Sequence, residues 1–242
     1  MNSSISDGKY RGNEVTEWKE CPVHGRVPSK YKDAYDYEWD IDECPLCTEQ
    51  KKFEAKIQRA MIPNRFKEKS IENFSASDDF QISIKAKISK FIETLPNRLK
   101  SGSSLIFVGN VGTGKTHLAV SVAREAIKLG YTALFSSVSE IIRETRLSWT
   151  TSRQREVFEH FTSCDLLIID EVGVQSGTDN ERNILFDIIN QRYMDVKSTI
   201  IISNEEPNVL KDFLGVRVID RLSENDGQII GFKGKSYRRQ IK

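Results

Sequence analysis

Apolar residues cluster in this chain in two ways, and the alternation between them predicts the architecture of its larger part. Ser104-Leu105-Ile106-Phe107-Val108, Thr132-Ala133-Leu134-Phe135-Ser136, Leu166-Leu167-Ile168-Ile169 and Thr199-Ile200-Ile201-Ile202 are short, nearly continuous apolar runs. Runs of this length, rich in β-branched residues, read as strands buried on both faces. Between them the apolar positions recur at helical spacing. Ile82 to Leu95 carries Ile84, Ile88, Phe91, Ile92 and Leu95, and His117 to Ala126, Val138 to Leu147 and Ser152 to Phe161 are further helical segments. Glu181 to Met194 places Ile184, Leu185, Ile188 and Ile189 on one side. Strands separated by amphipathic helices predict an α/β fold, a parallel sheet sandwiched by helices.

The front of the chain lacks this rhythm. Residues 1–20 are polar and are expected to be poorly ordered. Thr48 to Met61 reads as a helix with Phe53, Ile57 and Ala60 or Met61 on one face, ended by Pro63. The alternating pattern begins at Phe66, which divides the chain into a small domain, 1–65, and a larger one, 66–242.

Composition narrows the setting. Charged residues make up 29% and mean hydropathy is -0.46, as in a soluble protein with a real core. No apolar run approaches the ~20 residues that span a bilayer. Met1 to Gly8 lacks the apolar centre of a secretory signal, so a cytoplasmic location and no membrane partner are expected. The net charge of +1 advertises no nucleic acid, but the tail carries Lys233, Lys235, Arg238, Arg239 and Lys242 with no acid.

The strongest motif follows the first strand. Gly109-Asn110-Val111-Gly112-Thr113-Gly114-Lys115-Thr116 has the pattern Gly-x-x-x-x-Gly-Lys-Thr between a predicted strand and a predicted helix. Glycines let the backbone turn its N–H groups toward phosphates, which also sit at the positive end of the helix. Lys115 adds a point charge and the Thr116 hydroxyl is a ligand for Mg²⁺. ATP/ADP with magnesium is the expected ligand. Ligands of a parallel sheet collect at the carboxyl ends of its strands, and two more ends are polar. Asp170 would hold Mg²⁺ through water, and Glu171 is placed to polarise a hydrolytic water. Asn204 is a neutral amide placed to orient that water, or simply a turn residue before Glu205-Glu206-Pro207. Arg217 and Arg221, four apart, suit γ-phosphate charge or ordinary surface ion pairs, and spacing does not choose.

The front end carries a second constellation. Cys21-x-x-His24 and Cys44-x-x-Cys47 are two knuckles whose side chains complete a tetrahedron of three thiolates and an imidazole, the donor set of structural zinc. All four ligands come from the chain, leaving no open position for catalysis. The aromatic and acidic stretch Tyr31 to Asp40 between them either wraps that site or forms a docking surface for a protein.

Taken together, these residues resemble the DnaC family of bacterial helicase loaders, AAA+ ATPases close to the initiator DnaA. The similar stretch runs from about Ser70 to the end. It includes Ile71-Glu72-Asn73-Phe74, the phosphate loop with His117-Leu118-Ala119, Asp165 to Gln175, Leu214-Gly215-Val216-Arg217-Val218-Ile219-Asp220-Arg221 and Ser236-Tyr237-Arg238. The resemblance implies Walker A roles for Lys115 and Thr116, Walker B roles for Asp170 and Glu171, and sensor 1 for Asn204. It makes Arg217 a finger reaching a neighbouring subunit's ATP, hence self-association through the ATP site, and Arg238 sensor 2. It implies a hexameric replicative DNA helicase and single-stranded DNA as partners, with Val138 to Phe161 facing DNA and Trp149 either stacking on a base or packing in the core. The zinc knuckles depart from the best-known DnaC loader, whereas the related loader DnaI has a zinc-binding front, so the first 65 residues match the helicase-docking role by position and not by sequence. A transposase helper of the IstB type shares the loop with its Thr-His-Leu-Ala continuation. A small-molecule kinase would leave the zinc module and arginine box unexplained.

Overall fold

The structure, a computed structural model, describes residues 9, 10, 12–173, 178–234 and 236. The chain divides into two compact units, residues 1–56 and 57–242, the division falling ahead of the 65/66 boundary expected from the sequence.

In the first unit four strands form an antiparallel sheet in the order β1-β2-β3-β4. They are β1 (Lys9–Tyr10), β2 (Asn13–Cys21), β3 (Gly25–Lys32) and β4 (Glu38–Asp40). For residues 9, 10 and 12–20 this corrects the expectation of poor order before Cys21, and residues 1–8 and 11 lie outside the described residues. β2 has no apolar run to betray it; it is held by its pairing with β3, from Glu14 opposite Lys32 to Cys21 opposite Gly25. Lys30 lies 3.6 Å from Glu17 across that pair. The helix α1 (Pro45–Arg59) follows.

The second unit is built on a five-stranded, all-parallel sheet. Its helices and strands run α2 (Asp79–Glu93), α3 (Leu95–Ser101), β5 (Leu105–Gly109), α4 (Lys115–Lys128), β6 (Ala133–Ser137), α5 (Val138–Thr151) and α6 (Gln154–Thr162). Then come β7 (Leu166–Asp170), α7 (Asp179–Met194), β8 (Ser198–Ile202), α8 (Pro207–Leu214), α9 (Val216–Ser223) and β9 (Gln228–Phe232). The sheet order is β6-β7-β8-β5-β9. Every residue of β8 is buried, as the uniform apolar run requires of a strand covered on both faces. On one face Ile106, Val108, Leu167, Ile169 and Ile201 pack with Val138, Ile141, Ile184, Ile188, Leu210 and Val218.

Several boundaries have visible causes. Asp78, Ser137 and Thr178 cap α2, α5 and α7, each side chain accepting the backbone N–H three residues on. The expected helix from Ile82 to Leu95 breaks at Thr94, because Pro96 sits in the first turn of α3, where its missing N–H costs nothing. Gly215, at φ 83°, separates α8 from α9. The free edge of β6 is covered by the peptide after α1, whose Ala60 carbonyl accepts the Phe135 N–H at 2.8 Å.

Arg192 on α7 is fully buried. Its guanidinium donates to the carbonyls of Phe161, Thr162 and Cys164 and to that of Ser198. It thereby satisfies the carbonyls at the end of α6 and ties the starts of β7 and β8 together.

Candidate nucleotide site and metal centre

The phosphate loop leaves β5 and enters α4 along a path only glycine tolerates. Gly109, Gly112 and Gly114 have φ of 121°, 78° and 95°, a region that L side chains rarely adopt. Space forbids a side chain as well. A Cβ on Gly109 would stand 2.3 Å from the Phe232 carbonyl oxygen, and one on Gly114 2.5 Å from Cε2 of Phe74. Thr113 Oγ1 donates to the Asn110 carbonyl at 2.8 Å, and the Asn110 N–H donates to the Phe232 carbonyl at 3.1 Å. Lys115 is buried, its Nζ donating to the carbonyls of Gly109 and Asn110 at 2.6 and 2.7 Å. The N-cap of α4 is Gly114, which offers no side chain to the first-turn N–H groups. With the positive end of α4 at the glycine turn and Lys115 beside it, the cradle fits phosphate.

The Ile71-Glu72-Asn73-Phe74 segment supports this loop from behind. Phe74 is buried with its ring edge-on to that of His117, centroids 5.2 Å apart. Nε2 of His117 lies 2.9 Å from the Ser70 carbonyl oxygen. Burial pushes the His117 pKa down, the hydrogen bond to Ser70 opposing it. Arg124, two turns along α4, donates to the Lys67 carbonyl.

Opposite the loop stands the end of β7. Thr116 Oγ1 donates to Asp170 Oδ2 at 3.0 Å, so two hard oxygen donors meet at one point, as a magnesium site requires. Asp170 Oδ1 accepts the Glu171 N–H at 2.8 Å, and burial pushes the Asp170 carboxyl up. Glu171 is exposed and left-handed, at φ 62°. A non-glycine residue held there stores strain of about 1 kcal/mol or more.

Ser203 laces the neighbouring strand ends together. Its Oγ donates to the Val172 carbonyl at 2.6 Å, its N–H to the Phe107 carbonyl at 2.8 Å, and its Oγ accepts the Glu205 N–H at 3.1 Å. Asn204, the next residue, is exposed beyond the end of β8. In α9, Arg217 is exposed, whereas Arg221 is half-buried with its guanidinium 5.6 Å from the Phe186 ring centre and 5.3 Å from that of Tyr193. Arg238 lies outside the described residues.

In the first unit, Cys21, His24, Cys44 and Cys47 bring their ligand atoms within 4.8 Å of one another. His24 Nδ1 is 3.8, 3.7 and 3.3 Å from the sulfurs of Cys21, Cys44 and Cys47, and Cys21 Sγ is 3.7 Å from Cys47 Sγ. A tetrahedron with metal–sulfur bonds of about 2.3 Å has edges of about 3.8 Å, so the donor set fits zinc. The β2–β3 turn aims backbone N–H groups of Val23 and His24 at Cys21, lowering its pKa to about 6. Burial and the neighbouring thiols push Cys47 up to about 11. Crowded thiols of this kind call for a cation among them.

Residues 33–242 match the family model described as IstB-like ATP binding protein. The chain belongs to that family. Cys21 and His24 precede the matched segment. YdaV of Escherichia coli K12, itself uncharacterised, is 27% identical over 230 residues, 91% of each chain. The replicative helicase loader DnaC of the same strain is 28% identical over 174 residues, 71% of this chain and 70% of DnaC. A crystal structure of the DnaC helicase loader shares the fold at a TM-score of 0.65 and 23% identity, covering 71% of this chain and all of that one.

This chain is therefore an ATPase of the IstB-like family with the AAA+ fold. Its structure brings the loop, Thr116, Asp170, Glu171 and Asn204 to one edge of the sheet. Three parts of that site went unread in the sequence. β9 was missed, although Ile229-Ile230 is its apolar signal, and it forms one wall of the loop. Phe74 entered only through the resemblance, not for its contact with Gly114. Ser203 gave no signal at all, since a serine ending an isoleucine run reads as a strand boundary.

Proposed function

We propose that this ATPase is a loader that binds the replicative DNA helicase and places it on single-stranded DNA, switching partners as ATP is hydrolysed. The reading rests on the 28% identity to the helicase loader DnaC, which spans 70% of that protein. In it Lys115 and the loop N–H groups bind the phosphates, and Thr116 and Asp170 hold Mg²⁺, which would supply charge neutralisation there. Glu171 polarises the attacking water and Asn204 orients it. Arg217, exposed on α9, acts on the ATP of a neighbouring copy, and Arg238 contacts the chain's own nucleotide. The exposure of Arg217 supports that assignment over Arg221, whose guanidinium is engaged by two rings. Domain 1–65, with structural zinc on Cys21, His24, Cys44 and Cys47, docks the helicase, and the complex works in the cytoplasm.

A strand-displacement assay tests this. The purified helicase on circular single-stranded DNA with an annealed oligonucleotide should unwind faster when this chain and ATP are added. Unchanged unwinding removes the loader reading. The family match itself favours a second reading, an ATPase helper of a transposase. That protein's ATPase would respond to duplex DNA and transposase, and a loader's to single-stranded DNA.

A further inference from the structure

The β3–β4 turn of the first unit presents two tyrosines to solvent on a backbone that is held still. Tyr35 is 92% exposed and Tyr37 68%. Asp33 fixes the turn beneath them. Its Oδ1 accepts the N–H groups of Tyr35 and Tyr37 at 2.8 and 3.1 Å, and its own N–H donates to the Tyr37 carbonyl at 3.0 Å. Asp36 takes the left-handed conformation, φ 65°, and its carboxylate lies 3.0 Å from Lys32 Nζ.

The Tyr37 ring is anchored as well as its backbone. Tyr37 stacks on Trp39 with centroids 6.2 Å apart, Trp39 lies against Tyr31 at 5.8 Å, and Tyr31 stacks on Tyr10 at 5.5 Å. Tyr10 and Tyr31 are buried. An aromatic ladder thus runs from the small core out to the surface. Large rings that stay exposed on a fixed backbone have the composition of an interaction hot spot, since little entropy remains to be lost on binding.

Charge selects the class of partner. Between residues 33 and 43 stand Asp33, Asp36, Glu38, Asp40, Asp42 and Glu43, with no lysine or arginine. Lys32, Lys30 and Lys51 pair with Asp36, Glu38 and Glu43. Asp40 and Asp42 form no ion pair among the described residues. An acidic rim repels nucleic-acid phosphates and complements a basic protein surface.

We propose that the Tyr35–Tyr37 tip is the docking point for a protein whose surface offers an apolar pocket bordered by Lys or Arg. Resting on the loader reading, that protein is the replicative helicase. The test is the affinity of the full chain for the purified helicase hexamer of its own source, measured by biolayer interferometry. Wild type is compared with Y35S/Y37S, both checked for equal zinc content and equal circular dichroism. The tip predicts binding weakened at least about tenfold in the double variant. Wild-type binding matched by Y35S/Y37S overturns the tip and leaves the loader reading standing. Failure of wild type to bind overturns both. If the double variant loses zinc, Y35F/Y37F replaces it as a folded control, and the comparison moves to D40K/D42K, for which unchanged affinity overturns the proposal.

Discussion

Thr116 Oγ1 donates to Asp170 Oδ2 at 3.0 Å across 54 residues of sequence. The bond joins the first turn of α4 to the end of β7, and it sets both oxygens beside the phosphate loop. Thr116→Val keeps the shape and removes the hydroxyl. It should cost about 1–2 kcal/mol of stability, because Asp170 loses a donor while staying largely buried. ATP turnover should fall by at least about tenfold and need more magnesium. A magnesium titration of turnover checks this, and an unchanged midpoint would remove Thr116 from the ion.

Glu171 combines exposure with a left-handed backbone, φ 62°. Glu171→Gln should keep nucleotide affinity and lower turnover by about 10²–10⁴-fold, the usual scale of a general base. Glu171→Gly should also stop turnover yet raise the melting temperature above that of Glu171→Ala, because glycine accepts this φ at about 1 kcal/mol less strain. Equal stability of the Gly and Ala variants would contradict the strain.

Phe74 and Gly114 are a packed pair. Gly114→Ala brings a Cβ to 2.5 Å from the Phe74 ring at a φ of 95°. We expect a loss of about 1–3 kcal/mol and of nucleotide binding. Adding Phe74→Ala should relieve the clash but not the backbone strain, so a double-mutant cycle on thermal stability should show coupling of about 0.5 kcal/mol or more. Strict additivity would mean the ring yields freely.

The Cys21-His24-Cys44-Cys47 cluster should bind zinc and be separable from the ATPase. The purified chain should hold one zinc per molecule by elemental analysis. Chelation should unfold the β1–β4 sheet, since so small a core depends on its metal, and should leave ATP affinity unchanged. A chain without zinc, or a sheet indifferent to chelation, would contradict the tetrahedral fit.

The sheet and most of its helices were legible because buried strands and amphipathic helices leave unlike periods in the sequence. Gly109 to Thr116 and Asp170 were legible because phosphate and metal chemistry restrict residue type at fixed spacing. β2 was not, since its stability comes from cross-strand pairing with β3 and not from an apolar run. β9 was not either, since Ile229-Ile230 is its only consecutive apolar pair and it stands between polar and glycine residues. Ser203 and Arg192 stayed hidden for a different reason. Each acts by donating to backbone carbonyls of distant strands and helices, and such partners have no side-chain signature.

The proposed loader role requires a physical complex with the replicative helicase. Size-exclusion chromatography with light scattering on this chain mixed with that helicase, with and without ATP, tests it most directly. The account predicts a stable complex that disappears when residues 1–65 are removed. Separate elution of the two proteins under every nucleotide condition would contradict it.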